Sequence, residues 1–335
     1  MRPGVPMTLP EDAPVVALRR GSLVESVHRG RYAVVDPNGG RLDSLGDTEG
    51  YVYARSSAKP FQALPLVFSG AADAFGFTDE EIAVACASHS GEPRHLAAVR
   101  SILRRVGLSE GDLQNGFHPP MHAPSAERLV KTGESPRAIH GNCSGKHAGM
   151  LAVCVHAGWD PAGYRDPDGP LQKLLLRTVA TVCGVEPGNV KRDGDGCGVP
   201  VFALPLEGMA LGFARLAAGS AHGFPDDLSE ALRRVRDAMR KHPYMVAGGG
   251  RLDTRLMEGT GLVSKSGAEA VFAAASTTEP FWGMALKVSD GASRALAPAA
   301  LGALARQGVR TPEGLDSTLV TDLRGETVGE ISPLL

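Results

Sequence analysis

The chain has 335 residues, enough for one large domain or two ordinary ones, and its 43% apolar content is that of a globular protein with a sizeable core. Thirty-five basic residues against 37 acidic ones leave a net charge of −2, so no basic field points to nucleic acid, and 5% aromatics provide no stacking platform for bases. The five cysteines are odd in number and sparse, which argues against a disulfide framework and for a reducing, cytoplasmic setting.

Residues 1–14 read as a loose arm without the apolar core of a signal peptide. Residues 15–18, 24–28 and 32–36 read as short strands, with Arg29-Gly30 as one hairpin turn and Asn38-Gly39-Gly40 as another. A further strand over residues 51–55 ends in Arg55-Ser56-Ser57-Ala58-Lys59-Pro60, the one Ser-x-x-Lys in the chain. A helix follows over residues 60–68, with Pro60 in its first turn and Pro65 as a kink. Residues 79–87 form a helix or apolar run that leads into Ser88-His89-Ser90-Gly91-Glu92. Residues 94–106 form an amphipathic helix, with Leu96, Val99, Ile102 and Leu103 opposite Arg100 and Arg104. Residues 109–140 are polar and proline-rich, and are expected to be a long functional loop with little regular structure.

Gly141-Asn142-Cys143-Ser144-Gly145-Lys146-His147 opens a buried helix through residue 156, and residues 171–183 form another. Residues 193–198 are a turn rich in glycine and acid. Helices are expected over 206–218 and 228–241. The apolar stretch 201–218 is broken by Pro205, Glu207 and Arg215, so it reads as buried helix and not as a membrane span. Gly248-Gly249-Gly250-Arg251-Leu252-Asp253-Thr254 is a loop suited to close backbone approach. Strands over 262–267, 270–275 and 284–288 precede a last helix through residue 306 and a docked tail. Strands at both ends around a helix-rich middle indicate an α+β fold, with a sheet closed by sequence-distant strands and packed by helices in one domain over residues 15–335.

Ser56 and Lys59 stand three apart, so on a helix they share a face, and a neutral lysine can take a serine proton. Such a tetrapeptide arises by chance about once every few hundred residues, and alone it also describes an exposed lysine on a helical turn. Lys265-Ser266-Gly267 on a late strand adds weight, because an early Ser-x-x-Lys with a late Lys-x-Gly is the arrangement of penicillin-recognising acyl transferases. Lys131-Thr132-Gly133 repeats the tripeptide without a strand and is set aside as a decoy. Ser88 is a second candidate hydroxyl, or else a serine that satisfies helix-end carbonyls. Cys143 and Cys197 sit in glycine-bearing turns beside Lys146, His147 and Asp195, where thiols serve as metal ligands, reactive groups or plain loop residues. Cys86, Cys154 and Cys183 lie in apolar runs and read as packed residues. The histidines show none of the spacing of a metalloprotease helix, and no phosphate-binding glycine loop with its lysine occurs.

Taken in order, Arg55 to Pro60, Ala87 to Glu92, Gly141 to His147, Asp195-Gly196-Cys197-Gly198-Val199-Pro200, Gly250 to Thr254 and Lys265-x-Gly267-Ala268-Glu269 resemble the successive signatures of the asparaginase II family, the rhizobial-type L-asparaginases. The resemblance implies an antiparallel sheet sandwiched by helices, similar to the serine β-lactamase and glutaminase fold, usually as a homodimer. It implies two Ser-Lys pairs, Ser56 with Lys59 and Ser88 with Lys265, a zinc site of Cys143, Lys146 and Cys197, and substrate contacts from Arg55, His147 and Asp195, with Gly250 and Arg251 in the loop beside them. The implied substrate is L-asparagine. Two other readings of the residues stand beside it: a penicillin-binding or β-lactamase-like acyl hydrolase, for which no clear Ser-x-Asn is found, and a non-catalytic zinc or thiol protein.

Overall fold

The computed structural model describes residues 10–315 and 319–335. Of the loose arm expected over residues 1–14, residues 1–9 lie outside that range, and the first strand already begins at Ala13. Strands β1 (Ala13–Arg20), β2 (Leu23–Val35), β3 (Arg41–Leu45) and β4 (Tyr51–Tyr53) come first. Strands β5 (Lys191–Gly194) and β6 (Pro200–Pro205) lie mid-chain. Strands β7 (Leu262–Gly267), β8 (Val271–Ser276), β9 (Trp282–Val288), β10 (Leu319–Thr321) and β11 (Thr327–Pro333) come last. An antiparallel sheet runs β10-β11-β1-β2-β9-β8-β7 with β3 on β2, and β4-β6-β5 make a small second sheet. The first strands therefore close on the last, as their distribution along the chain predicts.

Both faces of the large sheet are buried, and the two-residue period sorts its side chains. Ala33, Val35, Ala273, Ala275 and Ala285 join the larger core, which includes helix Leu206–Ala218. Tyr32, Val34, Phe272, Ala274, Met284 and Leu286 pack with helix Ser293–Arg306 on the other face. Helices on both faces of an antiparallel sheet are the sandwich expected from the sequence.

Three expectations are corrected. Arg29-Gly30 is no hairpin turn: β2 is one strand of 13 residues, and Gly30 pairs with Ala13 on one side and Val288 on the other. A central position in the ladder overrides the local glycine signal, and the glycine serves close packing, since a Cβ there would lie 2.5 Å from the Lys287 carbonyl oxygen. The turn lies instead between β1 and β2, at Gly21 with φ +56°. Second, residues 109–140 contain a helix, Ala123–Thr132, started by Pro124 and stopped by left-handed Gly133. Its neighbouring prolines obscure the stripe of buried Ser125 and Leu129. Third, Leu252 to Thr254 are not loop but the first turn of helix Leu252–Gly259.

The segments that carry the candidate residues meet because helix ends converge. Helix Asp79–Ala85 starts at a Thr78–Glu81 capping box and stops just before Ser88. Helix Ser144–Ala157 crosses its end so closely that a Cβ on Gly145 would sit 2.1 Å from the Val84 carbonyl oxygen. Gly145→Ala is expected to lower stability by about 1–3 kcal/mol or more, read as a fall in urea midpoint; an unchanged midpoint would mean that the two helices part without strain.

Candidate active site

Arg55–Ala58 form a 3-10 turn, and Lys59 begins the helix Lys59–Phe68. Arg55 holds a left-handed φ of +48°, an uncommon conformation for a residue with a side chain, kept here by surrounding structure. The Ser57 hydroxyl donates to the Lys265 carbonyl at 2.8 Å and ties this turn to β7. Ser56 opens on a cleft of about 200 Å³ with Arg55, Asn142, Cys143, Asp195 and Cys197. A larger groove of about 750 Å³ runs past Asp12, Arg29, Arg31 and Lys287. Its cations are already engaged by Asp12 and by backbone carbonyls, so the small cleft is where chemistry is concentrated.

Lys59 is 1% exposed. Its Nζ lies 2.7 Å from the Ala87 carbonyl oxygen and 2.9 Å from Ser88 Oγ. Shared helical spacing predicts Ser56 as its neighbour, but the side-chain hydrogen bond formed by Lys59 is with Ser88. Burial pushes Lys59 down from the usual lysine range, and Lys146 adds to this while the two thiols oppose it. Ser88 is itself held by its N–H donating to the Val246 carbonyl at 2.9 Å.

Lys265 is fully buried on β7 and stands 3.7 Å from Asp253. Burial lowers it and Asp253 partly restores it, to about 8.

Cys143 ends the turn before helix Ser144–Ala157, and Cys197 lies in the turn where the Asp195 N–H donates to the Val199 carbonyl. Lys146 Nζ is 3.1 Å from Cys197 Sγ. Burial lowers Lys146, but Cys197, Cys143 and Asp195 outweigh it and hold the ammonium charged. A bond from Cys197, with the charges of Lys59 and Lys146, keeps the Cys143 thiol well below its ordinary value despite burial. The same bond and burial push Cys197 up. Burial also pushes up Cys86 and Cys183 to about 12 and Cys154 to about 11.

Asp195 accepts from Arg55 Nε at 3.1 Å. Burial works against its charge, but Lys146, the Gly196 N–H and Arg55 hold it below the usual carboxylate range. His147 is buried, with Nδ1 2.7 Å from the Tyr164 hydroxyl and Nε2 without a partner among the described residues. The Gln114 N–H also donates to that hydroxyl, at 2.9 Å. Burial, then Lys146 and Lys59, push His147 well below its ordinary value, so it is neutral. Gly250 and Arg251 are not in the cleft wall; Arg251 reaches Ser90 Oγ at 3.3 Å.

The structure thus gathers Arg55, Ser56, Cys143, Asp195 and Cys197 on one cleft, sets Lys59, Ser88, Lys146 and Lys265 in buried positions, and leaves Gly250 and Arg251 at the side. Sequence reasoning passed over Asn115 and His118, which also line the cleft, and the buried Asp253. The first two lie in a stretch read as a functional loop but with no residue singled out, whereas Asp253 stood inside a signature whose glycines and arginine drew the attention.

The L-asparaginase II family model matches residues 16–333. Among solved structures, a probable glutaminase from Bacillus subtilis complexed with 6-diazo-5-oxo-L-norleucine is 13% identical, with 83% of this chain and 82% of that one covered and a TM-score of 0.37. The covalent complex of the Bacillus subtilis glutaminase YbgJ with 5-oxo-L-norleucine is 14% identical, covering 83% and 86% with a TM-score of 0.39. Mglu in its tris and glutamate form is 15% identical, covering 92% of this chain and 66% of that one, with a TM-score of 0.39. These superpositions are too loose to carry chemistry from one chain to another. No curated protein matches the sequence.

In chelator-treated protein at pH 7, iodoacetamide is expected to alkylate Cys143 and to spare Cys86, Cys154 and Cys183 until unfolding, because the thiolate is the reactive form. Peptide mass spectrometry reads the outcome, and equal labelling of all five cysteines would contradict the depressed thiol.

Proposed function

The chain belongs to the L-asparaginase II family and is an amidohydrolase, and from that premise we propose that it hydrolyses the side-chain amide of L-asparagine to L-aspartate and ammonia through a serine acyl-enzyme. The observation that carries this reading is the buried Lys59 amine in contact with a serine, beside a cleft onto which a second serine opens. A neutral amine has a lone pair for a hydroxyl proton, and burial is what favours neutrality.

Ser56 is the nucleophile in this reading, because it faces the cleft whereas Ser88 is 7% exposed. Lys59 takes the Ser56 proton as Oγ bonds to the amide carbon. The resulting oxyanion is met by backbone N–H groups, that of Ser56 among them, each worth about 3 kcal/mol. As the C–N bond breaks, the Ser88–Lys265 pair returns a proton to the departing ammonia. Water then attacks the ester and gives its proton to the Ser88–Lys265 pair; as the ester C–O bond breaks, Lys59 returns its proton to Ser56 Oγ and L-aspartate leaves. Arg55 and Asp195, which line the cleft, bind the amino-acid end; His147, Gly250 and Arg251, the other substrate contacts that the resemblance implies, do not line it. The size of the cleft suits a single amino acid better than a polymer.

The donor chemistry also fits a thiophilic divalent metal. Among the described residues no three His, Cys, Asp or Glu side chains form a metal cluster; the third ligand that the resemblance implies beside Cys143 and Cys197 is Lys146, which adjoins Cys197 and whose ammonium would give up its proton to bind the metal. Cys143, Lys146 and Cys197 would hold the zinc, which would supply a fixed charge that helps orient the amino-acid end of the substrate. Protein purified without chelator is expected to carry about one zinc per chain by elemental analysis, and a metal-free, fully active preparation would remove the site. Cys143→Ser is expected to raise KM more than it lowers kcat.

Ser56→Ala is expected to abolish ammonia release from asparagine. The Lys59–Ser88 contact favours a second reading, in which Ser88 carries the acyl group. Acid-quenching the acyl-enzyme and mapping the modified peptide separates the two: a label on Ser88, with near-normal turnover in Ser56→Ala, would overturn the first. A homodimer is the assembly proposed, and light scattering in solution checks it. No helix among the described residues is long and apolar enough to cross a membrane.

A further inference from the structure

Asp253 belongs to a sequence signature but has no part in the chemistry proposed above. It is 2% exposed, in the first turn of helix Leu252–Gly259. Strand β7 surrounds its carboxylate. The Ser266 N–H lies 2.9 Å from both Oδ1 and Oδ2. The Ser266 hydroxyl donates to Oδ1 at 2.9 Å and the Ser264 hydroxyl at 3.3 Å. Lys265 Nζ stands 3.7 Å from Oδ2. A carboxylate this deeply buried is costly unless it is both hydrogen-bonded and charge-paired, and here β7 supplies every partner.

We propose that Asp253 is a positioning residue for the amide reaction: as the counter-ion of Lys265, it locks the end of β7 and keeps that buried side chain an ammonium. The proposal rests on the reading of Lys265 as a proton carrier. The other charged or titratable groups that act on Lys265 are Lys59, from the helix Lys59–Phe68, and Arg251, both of which repel its charge, and Cys143. Cys86 also feels its charge. Strand β8 places Ala273 opposite it. Asp253 is the one carboxylate in this set. Burial pushes Lys265 down, Asp253 pushes it back, and the balance near 8 leaves it charged through neutral pH. Without Asp253, burial and the two cations act together.

The test is a pH titration of 13Cε-labelled lysine by NMR, with the Lys265 resonance assigned from Lys265→Arg. The midpoint is expected near 8 in the unmodified chain. In Asp253→Asn, which keeps the shape but loses the charge, it should fall by about 1 unit or more. Ser266→Ala, which removes one bond to Asp253 but leaves its charge, should keep the midpoint. An unmoved midpoint in a folded Asp253→Asn overturns the proposal. Should that variant fail to fold, the unmodified chain still decides, because a midpoint of about 6 or below is that of a buried lysine without a counter-ion. The alkaline limb of asparagine hydrolysis should move down with the midpoint in Asp253→Asn, whereas a merely structural role lowers kcat evenly across pH. The resonance reports whether or not asparagine is turned over, so failure of the asparaginase reading is distinguishable from failure of this one.

Discussion

Burial of Lys59 is the constraint on which the rest of the site depends. An ammonium taken out of water is costly, and a lysine sealed between helices lowers that cost by giving up its proton and by finding hydrogen-bond partners. The Ala87 carbonyl and the Ser88 hydroxyl are those partners. They are available because helix Asp79–Ala85 ends there, and a helix end leaves backbone carbonyls without intrahelical donors. One side chain therefore ties the turn that carries Ser56 to the segment that carries Ser88.

Charge in the surrounding shell is balanced by pairs rather than by solvent. Lys146 lies against the cysteine pair, Arg55 against Asp195 and Lys265 near Asp253, so each of these three cations has an anionic neighbour on another segment. Lys59 instead hydrogen-bonds to neutral groups, the Ala87 carbonyl and the Ser88 hydroxyl, which suits it to act as a base. Buried pairs of this kind add little net stability, because desolvation offsets attraction. Their effect is on arrangement: breaking one leaves a lone charge inside, so the segments keep their register.

The sheet provides the rigid side of the site. β7 carries Lys265 and is anchored to the Ser56 turn through Ser57 and to helix Leu252–Gly259 through Asp253. β7 is an edge strand of the large sheet, and these side-chain bonds hold its outer flank. The β4-β6-β5 sheet has a similar task on the other wall of the cleft, delivering the Asp195–Cys197 turn and, through β4, the chain that enters Arg55.

Much of this was legible from the residues. Helix Leu206–Ala218 and strand Leu262–Gly267 fall where their apolar patterns predict. The α+β character followed from strands at both ends, and the signature segments named the groups that gather at the cleft. What failed was local punctuation overruled by distant partners. Gly30 looked like a turn but sits in a ladder between β1 and β9, and the prolines around Pro124 concealed a helix. Ser56 and Lys59 looked like a pair because they are three apart, yet the lysine turns to Ser88, 29 residues away. Periodicity, caps and turn residues act over a few positions, so the sequence by itself determined the elements and the kinds of reactive group. Which hydroxyl meets which amine, and which carboxylate stands by Lys265, depends on how helix ends and strand edges pack, with some contacts joining residues 208 apart. Such contacts are set by burial and shape between segments and leave no local trace, so only the tertiary structure decided them.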